Sequence, residues 1–128
     1  MGRALIGPAK WQDWPRWRGV FHQMLDPALY TLEWLDGEIA CGRFILFQTA
    51  DSAILVSIKV YPTGYKECQG EAATGKLAEI IDHLIPSAES WARAIGCKSA
   101  QIQSREGWVR QMKKRGYVLY QTTIRKAL

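Results

Sequence analysis

The strongest constraint on the fold lies between Leu77 and Ile95. There Leu77, Ile80, Ile81, Leu84, Ala88, Trp91, Ala92 and Ile95 recur with a period near 3.6, which predicts a long helix with one apolar face. Pro86 interrupts it and predicts a kink, and Gly96 stops it. The helix sits between two stretches that read as strands, KECQGEAATG and KSAQIQS. Strands joined by a long crossover in one sheet run parallel, so part of the sheet is expected to be parallel. The motif then repeats. REGWVRQMKKR reads as a short amphipathic helix ended by Gly116, and YVLYQTTIRKAL alternates like a last strand.

The preceding half supplies simpler elements. Trp11, Trp14, Trp17 and Phe21 line one face of a first helix, with Pro15 in its opening turn. This cluster reads as core or interface packing rather than ligand stacking. MLDPALYTLEWLDGEIACG gives a second helix, capped by Asp26 or Thr31 and ended by Gly42. GRFILFQT is a short apolar strand. In AILVSIKVY, Ile54, Val56, Ile58 and Val60 point one way, and Ser57 and Lys59 the other. YPTGY turns the chain back into KECQGEAATG, where Gly70 predicts a bulge or a close approach. The element order is α-α-β-β-β-α-β-α-β, an α/β (α+β) architecture with a central mixed sheet flanked by helices.

A chain of 128 residues suits a single domain, residues 1–128, with a core that needs no staples. Cys41, Cys68 and Cys97 are odd in number and lack metal spacing, which fits a reducing, cytoplasmic setting rather than a disulfide framework. With only His22 and His83, a zinc site would need distant ligands to converge, so no metal is expected. The N-terminal stretch has no long apolar run of a signal peptide, and nothing is long enough to span a membrane. Charge is uneven. Residues 93–128 carry +8 and the rest −3. Such an excess either keeps a face solvated or attracts phosphates, nucleic acid or an acidic partner.

The stretch AESWARAIGCKSAQIQSREGWVRQMKKRGYVLYQTTIRKAL is similar to the closing pattern of the GNAT superfamily of N-acetyltransferases. A helix ends in a small-residue turn at Ala92–Cys97, a strand covers Ala100–Gln103, a short helix spans Trp108–Lys114, and a Gly116-Tyr117 step precedes the last strand. The resemblance covers residues 44–128 well and the first 43 by element order. The Trp-rich compact form resembles small phage- or prophage-encoded members. It implies an acyl-CoA N-acyltransferase-like fold, acetyl-CoA as cofactor and an amine as substrate. The pyrophosphate would lie at the start of the long helix, on Thr74, Gly75, Lys76 and Leu77. The family's loop reads Arg/Gln-x-x-Gly-x-Gly/Ala. Here QGEAATG supplies Gln69 and Gly75 but sets Glu71 between them, a degenerate version. Glu67 or Glu71 would serve as general base. The family often draws its general acid from a tyrosine four residues before the Gly-aromatic step. That position is Met112, which has no proton to give; Tyr117 and Tyr120 lie further on, with Tyr120 the candidate to reach inward and otherwise a packing residue like Tyr117.

Two other classes stay open. A protein that kept the fold but lost the chemistry would act by interaction, for instance as a homodimer through its Trp-rich helix. A nucleic-acid binder would use Arg, Lys, Trp and Tyr of REGWVRQMKKRGYVLY, although the strand-like sequence that follows disfavours a groove-reading helix. Whether the chain is an enzyme is therefore left to the structure.

Overall fold

Tryptophan spacing sets the first layer. The computed structural model describes residues 5–103 and 106–128. A 3-10 turn, Trp11–Asp13, leads into α1, Trp14–Met24. Pro15 lies in the first turn of α1, where a missing N–H costs no helical bond. Trp14, Trp17 and Phe21 are buried, while Trp11 stays exposed. α2, Leu32–Ala40, begins at Thr31, whose hydroxyl accepts the Trp34 N–H at 3.1 Å. Asp26 is no cap for it. It holds a left-handed φ of 63° in the connection, and its carboxylate accepts the Ala28 N–H.

Four strands form one sheet in the order β1 (Phe44–Gln48), β2 (Ala53–Val60), β3 (Lys66–Thr74) and β4 (Ser99–Ile102). The first two pairings are antiparallel, and β3 pairs with β4 in parallel, as the crossover requires. Val56 pairs with Gly70 and Leu55 with Ala72, so Glu71 is the extra residue of a β-bulge.

Between β3 and β4 runs a continuous helical segment, residues 77–94. It comprises α3 (Leu77–Glu79), a π-helical turn (Ile80–Leu84) and α4 (Ile85–Ala94). The Ile85 N–H reaches back to the Ile80 carbonyl, a π-type bond. The irregularity sits directly before Pro86, which has no N–H to continue the ladder. Gly96, at φ 97°, ends the run, and the Cys97 N–H closes on the Ala92 carbonyl at 2.9 Å. α5, Glu106–Lys113, follows β4 and buries Met112.

The sheet is covered on both sides. Phe47, Ile54, Val56 and Cys68 pack against Ile80, Leu84, Ala88 and Ala92. On the other face Leu46, Ala53 and Leu55 pack against Trp14, Trp17, Phe21 and Leu35. Ile54, Val56 and Ile58 share one face of β2, as their spacing predicts. Leu55 is buried on the other face because the tryptophan helix covers it. The expected last strand is corrected. Residues 117–128 contain no strand among the described residues, and the element order ends at α5. They make no strand pairing among the described residues, and a strand is stable only in a ladder.

Candidate active site

β3 and β4 pair only from Glu67↔Ser99 to Gly70↔Ile102. Beyond Gly70, β3 runs on through its bulge to Thr74 without a β4 partner among the described residues. The sheet is thus closed at one end of this pair and open at the other.

Glu67 stands at the closed end. Its Oε1 accepts the Tyr61 hydroxyl at 2.6 Å and the Gln101 amide at 3.1 Å, and its Oε2 accepts the Ser99 hydroxyl at 2.7 Å. Register explains this convergence. Ser99 is the direct partner of Glu67, and Gln101 points the same way two residues on. Tyr61 sits at the turn between β2 and β3, where its N–H bonds to the Tyr65 carbonyl at 2.9 Å. The hydrogen bond to Glu67, reinforced by partial burial and the carboxylate charge, pushes the Tyr61 phenol up to about 12. A carboxylate offers about four lone-pair positions, and three are taken, so Glu67 retains one for a further donor.

Glu67, Tyr61, Ser99 and Gln101 line one side of a cleft of ≈ 1810 Å³. Trp108 and Tyr120 line it too. Glu71 is not among the lining residues. It accepts the Ser57 hydroxyl at 2.6 Å on the bulge. Of the two glutamates expected as a base, the fold therefore brings only Glu67 to the cleft. Tyr120 is on the cleft wall but 74% exposed. Tyr117 gives its hydroxyl to Glu89 Oε2 at 2.6 Å, and burial raises it far above an ordinary phenol. Met112 is buried. Cys68 and Cys97 are buried thiols, and burial pushes Cys68 up to about 12, which suits packing rather than nucleophilic work.

The start of the 77–94 helix is built around Ser52, which is fully buried in the β1–β2 turn. The Lys76 N–H donates to Ser52 Oγ at 2.8 Å, and that hydroxyl donates to Glu79 Oε1 at 2.7 Å. Thr49 Oγ1 also donates to Glu79, at 3.3 Å. Gly75 has φ 113°, and a Cβ there would run into Ser52. This glycine thus serves close packing on the turn. Lys76 Nζ pairs with Asp51 Oδ2 at 3.0 Å, and that hydrogen bond raises its pKa. Thr74 ends β3, and Leu77 and Ala78 are exposed at the first helical positions. The four residues expected at a pyrophosphate site are therefore together. One amide is already used internally, and Lys76 is shared with Asp51. The exposed residues Leu77 and Ala78 and the exposed Lys76 ammonium still fit a diphosphate chemically, with Asp51 as its competitor.

Among the described residues no cluster of three or more His, Cys, Asp or Glu is placed to hold a metal. No described helix is long and apolar enough to cross a membrane. Arg110 and Lys113 on α5, and Lys114 just after it, are exposed, and no second helix follows among the described residues. That leaves no helix-turn-helix.

No family model and no curated protein matches the chain. Solved structures do. The aminoglycoside antibiotic 6'-N-acetyltransferase of Acinetobacter haemolyticus superimposes with a TM-score of 0.70 at 15% identity, covering 98% of each chain. The ribosomal-protein-alanine N-acetyltransferase of Brucella melitensis biovar Abortus gives 0.70 at 8% identity, over 98% of this chain and 100% of that one. The glucosamine-6-phosphate N-acetyltransferase of Arabidopsis thaliana gives 0.67 at 13%, over 95% and 96%. The chain has the acyl-CoA N-acyltransferase-like fold of the GNAT acetyltransferases.

Proposed function

We propose that the protein transfers an acetyl group from acetyl-CoA to an amine, with Glu67 as general base. The observation that carries this reading is the Glu67 carboxylate. Three donors hold it on the β3–β4 pair, and it faces a cleft with one acceptor position to spare.

Bound acetyl-CoA supplies the acetyl group as a thioester. Leu77 and Ala78 would offer backbone amides to its diphosphate, at the end of the helix where the dipole favours anions, and Lys76 would add a charge. Thr74 and Gly75 set the angle at which strand meets helix. Glu67 takes a proton from the incoming amine, directly or through one water. The amine nitrogen bonds to the acetyl carbon as the carbon–sulfur bond breaks. Tyr120 hands the departing sulfur a proton. Its hydroxyl is bonded to no carboxylate among the described residues, whereas Tyr61 and Tyr117 on the same cleft are each engaged by a glutamate. Glu71 keeps a place in the proposal only as a polar anchor of the bulge.

Thermal unfolding with acetyl-CoA tests the cofactor half. Ligand at about 100 times its Kd adds roughly 2.7 kcal/mol, a shift of several degrees for a chain this size. Such a shift in the wild type, reduced in Lys76→Glu, supports the reading. No shift at any concentration contradicts it.

A further inference from the structure

Lys59 and Glu67 are direct partners across the antiparallel β2–β3 pair. Their side chains therefore leave the same face of the sheet, about 5 Å apart at Cβ. Opposite charges so placed ordinarily join. Here no ion pair joins them among the described residues. Each is held by neutral groups instead. Tyr61, Ser99 and Gln101 donate to Glu67. The Lys59 ammonium lies over the Tyr61 ring, 5.0 Å from its centroid. That ring is itself fixed, by its hydroxyl bond to Glu67 and by an edge contact with Tyr65 at 6.0 Å.

Tyr61 thus acts as a separator. It keeps a carboxylate with an acceptor position to spare beside an exposed cation, and the two do not neutralise each other. The rest of this end of the face is polar. Ser57 and Gln69 are the next pair on the same side of β2 and β3, and Ser99 and Gln101 continue it on β4. Glu71 is already engaged by the Ser57 hydroxyl. Lys66 alternates to the other side of β3 and donates to the Ile95 carbonyl at 2.7 Å. Among the described strand residues, Lys59 is the cation that shares this face with Glu67.

A ligand that matches both groups carries a donor and an anion a short way apart. We infer that the acceptor is a small zwitterionic amine, whose amino group meets Glu67 and whose carboxylate or phosphate meets Lys59. Partners about 5 Å apart at Cβ suit a link of about two or three atoms between the two groups. The inference rests on Glu67 as the group that receives the amine. A polycation has nothing to offer Lys59 and is repelled by it.

The test is a chemical-shift titration of the full chain with matched probes: O-phosphoethanolamine against ethanolamine, and β-alanine against propylamine, with spermidine as the polycation. It reads binding without acetyl transfer. Shifts are expected at the amides of Tyr61, Glu67 and Ser99. The anionic member of a pair should bind about fivefold tighter at low ionic strength, and the pair that shows the gap tells phosphate from carboxylate. Lys59 is exposed, so Lys59→Met leaves the fold intact, and it should erase the gap. Lys59→Arg should restore it. The inference is overturned if neither anionic probe outbinds its neutral match, if spermidine outbinds both, if the gap survives in Lys59→Met, or if these amides do not shift. Binding as expected without any acetyl transfer leaves the inference standing and sinks the proposed reaction. Transfer to spermidine with no gain from an anion does the reverse.

Discussion

Glu67 and Ser99 are direct partners across the parallel β3–β4 pair, and the Ser99 hydroxyl donates to Glu67 Oε2 at 2.7 Å. Sheet register thus fixes the orientation of the proposed base. Glu67→Gln keeps the shape but cannot take a proton, and kcat is expected to fall about 10²–10⁴-fold. Ser99→Ala removes one charge-assisted bond and should cost about tenfold. Steady-state kinetics on both variants checks the ranking, and equal losses would contradict it.

Tyr61 ties a pH dependence to the same carboxylate. Its folded pKa is raised to about 12 from 10.0, chiefly because its hydroxyl bonds to Glu67. The folded state therefore keeps a proton that the unfolded state releases. The stabilisation is whole below pH 10 and is lost as pH rises towards 12. Denaturant melts of wild type and Tyr61→Phe should converge across this window. A constant gap would mean that the bond does not control the phenol.

At the proposed diphosphate site, Asp51 competes for Lys76 at 3.0 Å. Asp51→Asn frees the ammonium and should tighten acetyl-CoA binding about threefold at low salt, with the gain shrinking as salt screens it. Lys76→Glu should weaken binding by at least as much. Isothermal titration at two ionic strengths reads both effects.

Ser52 holds the helix start to the β1–β2 turn through Lys76 and Glu79. Ser52→Ala removes the acceptor of the Lys76 N–H and one of the two hydroxyl donors to Glu79, and should destabilise by about 1–3 kcal/mol. Gly75→Ala meets both a φ of 113° and the Ser52 side chain, and should cost about as much or more. Chemical denaturation of both variants measures this.

Asp36 joins α1 to α2 by accepting from Trp14 Nε1 at 2.7 Å and from Arg18 at 2.6 Å. Hydrogen bonding to Arg18 holds its pKa below 3.8. The stabilisation is present above 3.8 and lost as pH falls through the folded value. Asp36→Asn should lower the neutral-pH midpoint by about 4 °C and flatten the acid limb of the stability profile.

Helix and strand positions were legible wherever a periodic apolar face met a stop signal. Leu77 to Ile95 with Gly96, and Thr31 before α2, are instances. The π turn was not legible beyond the kink that Pro86 implied, because its form depends on which carbonyl the Ile85 N–H finds. Residues 117–128 alternate like a strand, yet a strand needs a partner that local sequence does not name. Glu67 was legible as a glutamate on the right strand. Its separation from Glu71 came from the bulge, a register shift that Gly70 only hinted at. Tyr61, Ser99 and Gln101 carry no motif, and only the pairing of β3 with β4 reveals them as donors. Ser52 likewise became visible only as the buried bolt under Gly75.

The most direct measurement is release of free CoA thiol from acetyl-CoA, followed with a panel of primary amines: kanamycin, spermidine, glucosamine 6-phosphate and a lysine peptide. The prediction is amine-dependent thiol release matched by N-acetyl product, falling by about 10²-fold or more in Glu67→Gln. Amine-dependent release that is unchanged in Glu67→Gln, or wild-type protein that releases no thiol with any amine while binding acetyl-CoA, would contradict Glu67 as the base of an acetyl transfer.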